Sequence, residues 1–151
     1  MEGQTVKRLT LNREFAVRHI GVALLMAGLG CWFAYDGFVD YPQRDDAWFE
    51  SQHLRRDNAI RRQKEFMFLA FLASIAIAGH VAAVARLRVS YDDGGFEHDG
   101  VRTAYADAKD VDWSKWEKKG IVKVGRLVLD AWHHSGVRDI ASRLPGFKSG
   151  T

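Results

Sequence analysis

Residues Phe66 to Leu87 read FMFLAFLASIAIAGHVAAVARL, with no acidic residue and no basic one before Arg86. Only Ser74 and His80 interrupt the run with polar groups. A helix needs about 20 apolar residues to cross the ~30 Å hydrocarbon layer of a bilayer. A second apolar segment, Phe15 to Val39, lies upstream. The pair predicts an α+β membrane protein, with a two-helix transmembrane hairpin followed by a small soluble domain.

The chain has 151 residues. Spans over 15–41 and 65–87 leave a soluble module of about 60 residues, near the lower limit for a stable core. The formal net charge is +3, and acidic residues are interspersed among the basic ones. No basic arm forms, so nucleic-acid binding is not expected. Cys31 is the single cysteine, which excludes an internal disulfide.

Residues 1–14 are polar and basic and read as a tail. The first span carries Arg18 and His19 in its first turn and gathers Trp32, Phe33, Tyr35, Phe38 and Tyr41 at its far end. Aromatic rings of this kind collect at the membrane–water interface. Pro42 is expected to stop the helix, since the residue before a proline is steered away from the helical region. A cleaved signal peptide has the same basic start and apolar core. No A-x-A-like site follows, and Gly28-Leu29-Gly30-Cys31 has a glycine where a lipoprotein box has a branched residue, so a retained helix is the expectation. Residues 42–64 form a charged, partly helical connection in which Asp45 or Asp46 caps a helix. There Trp48 and Phe49 point to interfacial docking, and Arg61, Arg62 and Lys64 to a snorkelling collar. A solvated helix face explains the same pattern.

The pattern turns from helical to extended at Arg88. Arg88 to Tyr91 alternates, Asp92-Asp93-Gly94-Gly95 is a turn, and Asp99-Gly100 is a strong hairpin signal. Val101 to Ala106 and Ala108 to Trp113 extend, Ser114 to Gly120 turns, and Ile121 to Val124 pairs with Leu127 to Trp132 across Gly125-Arg126. Val137, Ile140, Ala141 and Leu144 then recur at helical spacing before Pro145-Gly146. The expectation is about five short strands closed by one amphipathic helix over 88–145, with 146–151 as a tail.

This order resembles the small pleckstrin-homology-like (PH-like) domains of bacterial membrane proteins. The elements that carry it are the RLRVSYDDGG entry from the second span, the DG hairpin, the aromatic-flanked DVDW and the closing helix. The resemblance covers about 86–145 and implies a β-rich fold, in reduced form, with no assigned activity. It also implies a cell (inner) membrane location with the soluble domain cytoplasmic. Basic residues do not decide the topology. Lys7, Arg8, Arg13, Arg18, Arg86, Arg88 and Arg102 flank one side, and Arg44, Arg55, Arg56, Arg61, Arg62 and Lys64 the other.

Several constellations bear on chemistry. His19 and His80 are intramembrane polar residues, which are functional suspects. In an antiparallel hairpin they lie at similar depth near one face, where they would contact a haem or a quinone, or simply satisfy neighbouring helix groups. His133-His134, with His98, read as surface residues, because no Cys or Glu spacing completes a metal site. Lys115, Lys118, Lys119 and Lys123, interleaved with Trp113 and Trp116, form the densest basic–aromatic patch, suited to lipid headgroups or a partner. Asp107, Asp110, Asp112 and Glu117 lie close by and weaken it. No nucleophile elbow, P-loop, H-E-x-x-H or dinucleotide turn is present.

Gly21, Gly28, Gly30 and Gly37 on one span and the alanines of the other suit close helix packing, within the hairpin, with other membrane subunits or by self-association. The expected function is a non-enzymatic, membrane-anchored interaction or scaffold protein, with no cofactor, serving as an accessory subunit of a larger complex. The alternative is a redox or transport component using His19 and His80.

Overall fold

The computed structural model describes residues 5–147; residues 1–4 of the N-terminal tail and 148–151 of the C-terminal one lie outside the described residues. The chain divides into two compact units, one of residues 17–82 and the other of residues up to 16 together with those from 83 onward. The fold is α+β: two long apolar helices, then small antiparallel sheets.

The first unit is the helix pair. Helix α1 spans Arg13–Tyr35, runs on through a π-helical stretch, Asp36–Asp40, and ends in α2, Tyr41–Gln43. Pro42 therefore does not stop the helix where the sequence predicts. The π stretch widens the turn just before it, and the proline ring would otherwise clash with the carbonyl four residues back. The chain leaves the helix only at Arg44, which is extended. Helix α4 covers Arg56–Ala85. Both helical segments, Arg13–Gln43 and Arg56–Ala85, are long and apolar enough to cross a membrane.

Within the unit the two helices run antiparallel. The ring of His19 lies 6.1 Å from that of His80, and Ser74 Oγ donates to the Ala23 carbonyl at 2.9 Å. Further along, Phe33 meets Phe66 at 5.5 Å, and Gln63 Nε2 donates to the Tyr41 hydroxyl at 3.1 Å. Numbers rise on one helix as they fall on the other. Two glycines permit the close approach: a Cβ on Gly30 would come within 2.9 Å of the Phe71 ring, and one on Gly37 within 3.2 Å of Gln63 and Lys64.

The connection folds into α3, Asp46–Ser51, capped by Asp45, whose Oδ1 accepts from the Trp48 amide at 2.9 Å. An unbroken helix from Asp46 onward does not form. The chain breaks after Ser51, with His53 at φ 53°. Phe49 packs against Tyr41 and Trp48, with ring centroids 5.7 and 4.9 Å away, and is buried. It holds the tip of the hairpin together and is not free to dock at an interface.

The second unit is β-rich. After α4 come β3 (Val89–Tyr91), β4 (Gly95–His98), β5 (Val101–Ala104), β6 (Val111–Asp112), β7 (Ile121–Val124), β8 (Leu127–Asp130) and β9 (His134–Ser135). Strands β4 and β5 join through Asp99-Gly100, at φ 51° and 77°, the two left-handed corners of a type I′ turn. The short α5 (Trp116–Lys119) precedes β7, and α6 (Val137–Ala141) closes the unit.

The N-terminal segment is not merely a tail. Residues Lys7–Arg8 (β1) pair antiparallel with β3, giving a sheet of order β1-β3-β4-β5. Residues Thr10–Leu11 (β2) pair with β9, and β6-β7-β8 form a third sheet. Main-chain bonding drives this: the Leu9 amide donates to the Val89 carbonyl at 2.9 Å and the Asn12 amide to the His133 carbonyl at 2.8 Å. Leu9 between them enters the core.

That core gathers Leu9, Val89, Tyr91, Phe96, Tyr105, Val122, Leu127 and Leu129 around α6. Val137, Ile140 and Ala141 are fully buried, and Leu144 nearly so. The apolar stripe read from the sequence is thus core, although the helix itself is only five residues long. Ile140→Asp would place an unpaired charge there, which costs several kcal/mol, a large fraction of the stability of so small a unit. Limited proteolysis of the full chain should show the β-unit degraded in Ile140→Asp and intact in the exposed control Lys118→Asp. Equal protection of both would show that α6 is not part of the core.

Candidate functional site

The two intramembrane histidines of the sequence reading do meet. Their ring centroids are 6.1 Å apart with planes inclined at 52°. His80 is exposed and His19 half-buried. An axial pair for haem needs a flat macrocycle between the two imidazoles. Here the helices touch about one turn deeper, where Ser74 Oγ bonds the Ala23 carbonyl at 2.9 Å.

The basic–aromatic patch is split by the fold. Trp113 and Trp116 stack edge-to-face at 5.7 Å, and each lies within 6 Å of the Phe147 ring. Trp113 Nε1 donates to the Pro145 carbonyl at 3.0 Å. The two tryptophans therefore brace the chain after α6. Lys115, Lys118 and Lys119 are exposed around α5, while Lys123 sits on β7 opposite Asp112. The Asp112 carboxyl is held below the usual carboxylate range, first by the amide and hydroxyl of Ser114 and further by Lys123 and Lys115. Two of the four lysines thus lie beside a carboxylate, leaving Lys118 and Lys119 as the outward positive charge.

The three histidines of the β-unit go to separate partners. His98 Nδ1 faces the Arg88 carbonyl at 3.2 Å, and His133 Nδ1 faces Asp130 at 3.3 Å. His134 is not a surface residue. It is buried, and its Nε2 donates to the Val84 carbonyl at 3.0 Å in the last turn of α4. Helix-terminal carbonyls lack intrahelical partners, and this imidazole supplies one. No group of three metal-ligating side chains forms among the described residues.

A polar network missed by the sequence reading surrounds the Asp92-Asp93-Gly94-Gly95 turn. The buried Asp92 carboxylate accepts from the Gly94 and Gly95 amides at 2.8 and 3.1 Å and from Arg102 at 2.6 Å. Its carbonyl accepts from Tyr105 at 3.1 Å and from Arg143 at 3.0 Å, and Arg143 also bonds Asp93 at 2.7 Å. Gly95 is required here, because a Cβ would collide with the Thr103 carbonyl oxygen across the sheet. The turn was legible as DDGG. Its cationic partners were not, because they come from β5 and from the segment after α6.

The network carries a pH dependence. Arg102 above all, then the Gly94 amide, hold the Asp92 carboxyl below its ordinary value near 3.9. A carboxyl with a depressed folded-state pKa contributes stability that is complete above the unfolded value and lost as pH falls through the folded one. The β-unit should therefore lose stability below about pH 4. Asp92→Asn should be weaker at neutral pH and show a flatter decline on acidification, read by denaturant unfolding of the detergent-solubilised chain at pH 7 and pH 3. An identical acid dependence in both proteins would remove Asp92 from the account.

With the geometry in place, the comparisons with known proteins add no relative: no family model matches the chain, and neither a curated protein nor a solved structure matches it.

Proposed function

We propose that this chain is a non-enzymatic membrane-anchored interaction or scaffold protein, a helical hairpin that holds a small PH-like β-unit at a membrane surface as an accessory subunit of a larger membrane complex. The observation that carries the reading is the bare apolar surface of the two helices. In the most apolar window of each, only 17% and 6% of residues are buried. Leu24, Phe68, Leu72 and Ile75 are all more than 60% exposed. Monomeric soluble proteins do not leave contiguous apolar surface of this extent in water, and a helix satisfies its backbone internally, as a bilayer requires.

Two features support the finer parts. Exposed Trp32, Tyr35 and Phe38 gather near one end of the first span, as an interfacial belt does, and Lys64 Nζ lies 4.4 Å over the Phe38 ring. Gly21, Gly28 and Gly79 have open space where a Cβ would stand, so other helices can approach these positions closely. The cytoplasmic placement of the β-unit follows the family resemblance.

The protein should stay in the membrane pellet after carbonate or high-salt extraction. With Cys31→Ser as background, cysteines placed at Asp45 and Lys109 should label from opposite sides, Lys109 from the cytoplasm. Release by carbonate would make the two helices part of a soluble assembly. Labelling of Lys109 from outside intact cells would reverse the orientation. Purification in gentle detergent should bring down a stoichiometric membrane partner, and its absence would leave self-association as the scaffold.

A further inference from the structure

A groove of about 660 Å³ lies within the β-unit between the end of α4 and the first sheet. This is the size range of small-molecule sites. Leu87 lines its apolar side and Arg8 and Arg88 its cationic side, with Glu97 and Asp99 also lining it. Both arginines are exposed, and neither forms an ion pair among the described residues. The sheet register explains the arrangement. Arg8 stands opposite Ser90, and Ser90 opposite Glu97, so a guanidinium, a hydroxyl and a carboxylate line up across three strands on the face away from the core. Asp99, in the β4–β5 turn, lies 3.3 Å from His98 Nε2 and leaves most of its carboxylate to solvent.

Charge of both signs around one concavity restricts what fits. Two unpaired guanidiniums call for an oxyanion, and their planar forks suit phosphate oxygens. A free phosphate dianion would face two carboxylates with nothing to offer them. A phosphodiester carrying a primary ammonium answers both walls: its oxygens face Arg8 and Arg88, and its three N–H donors face Glu97 and Asp99. The groove opens beside Ala85, Leu87 and Arg88, the residues at which α4 ends. If α4 spans the bilayer, this is headgroup level.

We propose that this groove binds the phosphoethanolamine headgroup of a zwitterionic phospholipid, with the phosphodiester at Arg8 and Arg88 and the ammonium at Glu97 and Asp99. Leu87 meets the glycerol end. The inference rests on the membrane reading above, and it concerns which lipid the β-unit selects.

Native mass spectrometry of the full chain, purified and delipidated in detergent, tests it with phosphatidylethanolamine, phosphatidylglycerol, soluble phosphoethanolamine and inorganic phosphate as probes. Phosphatidylethanolamine should be retained about tenfold better than phosphatidylglycerol, as loss of a charge-assisted contact implies. Arg8→Gln with Arg88→Gln should release both lipids. Glu97→Gln with Asp99→Asn should abolish the preference while keeping phosphatidylglycerol bound. Equal retention of the two lipids by the unsubstituted protein, or retention untouched by the arginine changes, overturns the proposal. Binding of soluble phosphoethanolamine or inorganic phosphate as tight as that of the lipid overturns the lipid as source. Carbonate extraction is read separately: a pelleted protein without lipid preference sinks this inference alone, and an extracted one sinks the membrane reading as well.

Discussion

The pairing of Lys7–Arg8 with Val89–Tyr91 governs the rest of the molecule. It joins the segment before the first long helix to the segment after the second. The main-chain bond from Leu9 to Val89 and that from Asn12 to His133 repeat the closure twice within a few residues. Everything between must leave this unit and return to it. The two long helices between these paired segments run antiparallel to each other. The contacts of the helix pair agree, with Ala23 against Ser74 and Phe33 against Phe66. Closing so long a loop costs conformational entropy, but that cost grows only slowly with length. Burial of Leu9 in the core offsets part of it.

The β-unit is small, and polar groups do part of the work a larger core would do. Asp92 is buried with its carboxylate fully engaged by two amides and Arg102. Buried polar groups stabilise when satisfied and cost heavily when not. This network ties the β3–β4 turn to β5 and to Arg143 beyond α6, so the sheet and the closing helix are held by one cluster. The Trp113–Trp116–Phe147 cluster does the same on the side of α5. The Asp99-Gly100 and Gly95 positions fix the register that puts Tyr91 and Phe96 inward and Ser90 and Glu97 outward.

Much of this was legible in the sequence, and the limits are physical. The apolar runs, the Asp99-Gly100 hairpin and the stripe Val137, Ile140, Ala141 and Leu144 are local patterns with strong periodicity or turn chemistry. The meeting of His19 with His80 followed from antiparallel register alone. Strands β1 and β2 were invisible, because two residues cannot display alternation and their partners lie far along the chain. The persistence of helix through Pro42 depends on a π stretch, which no residue pattern announces. The burial of His134 depends on a carbonyl of α4, 50 residues earlier. That Asp112 lies near the lysines was legible in the sequence, but its pairing opposite Lys123 depends on the β6–β7 register.

Amide hydrogen exchange of the full chain in detergent micelles tests the central claim, that the N-terminal segment is a structural part of the β-unit. The Leu9 amide, bonded to the Val89 carbonyl at 2.9 Å in a nearly buried residue, should exchange as slowly as the amides of β4 and lose protection together with them on unfolding. Exchange of Leu9 at the rate of an unstructured peptide, with β4 still protected, would contradict the closure on which this account rests.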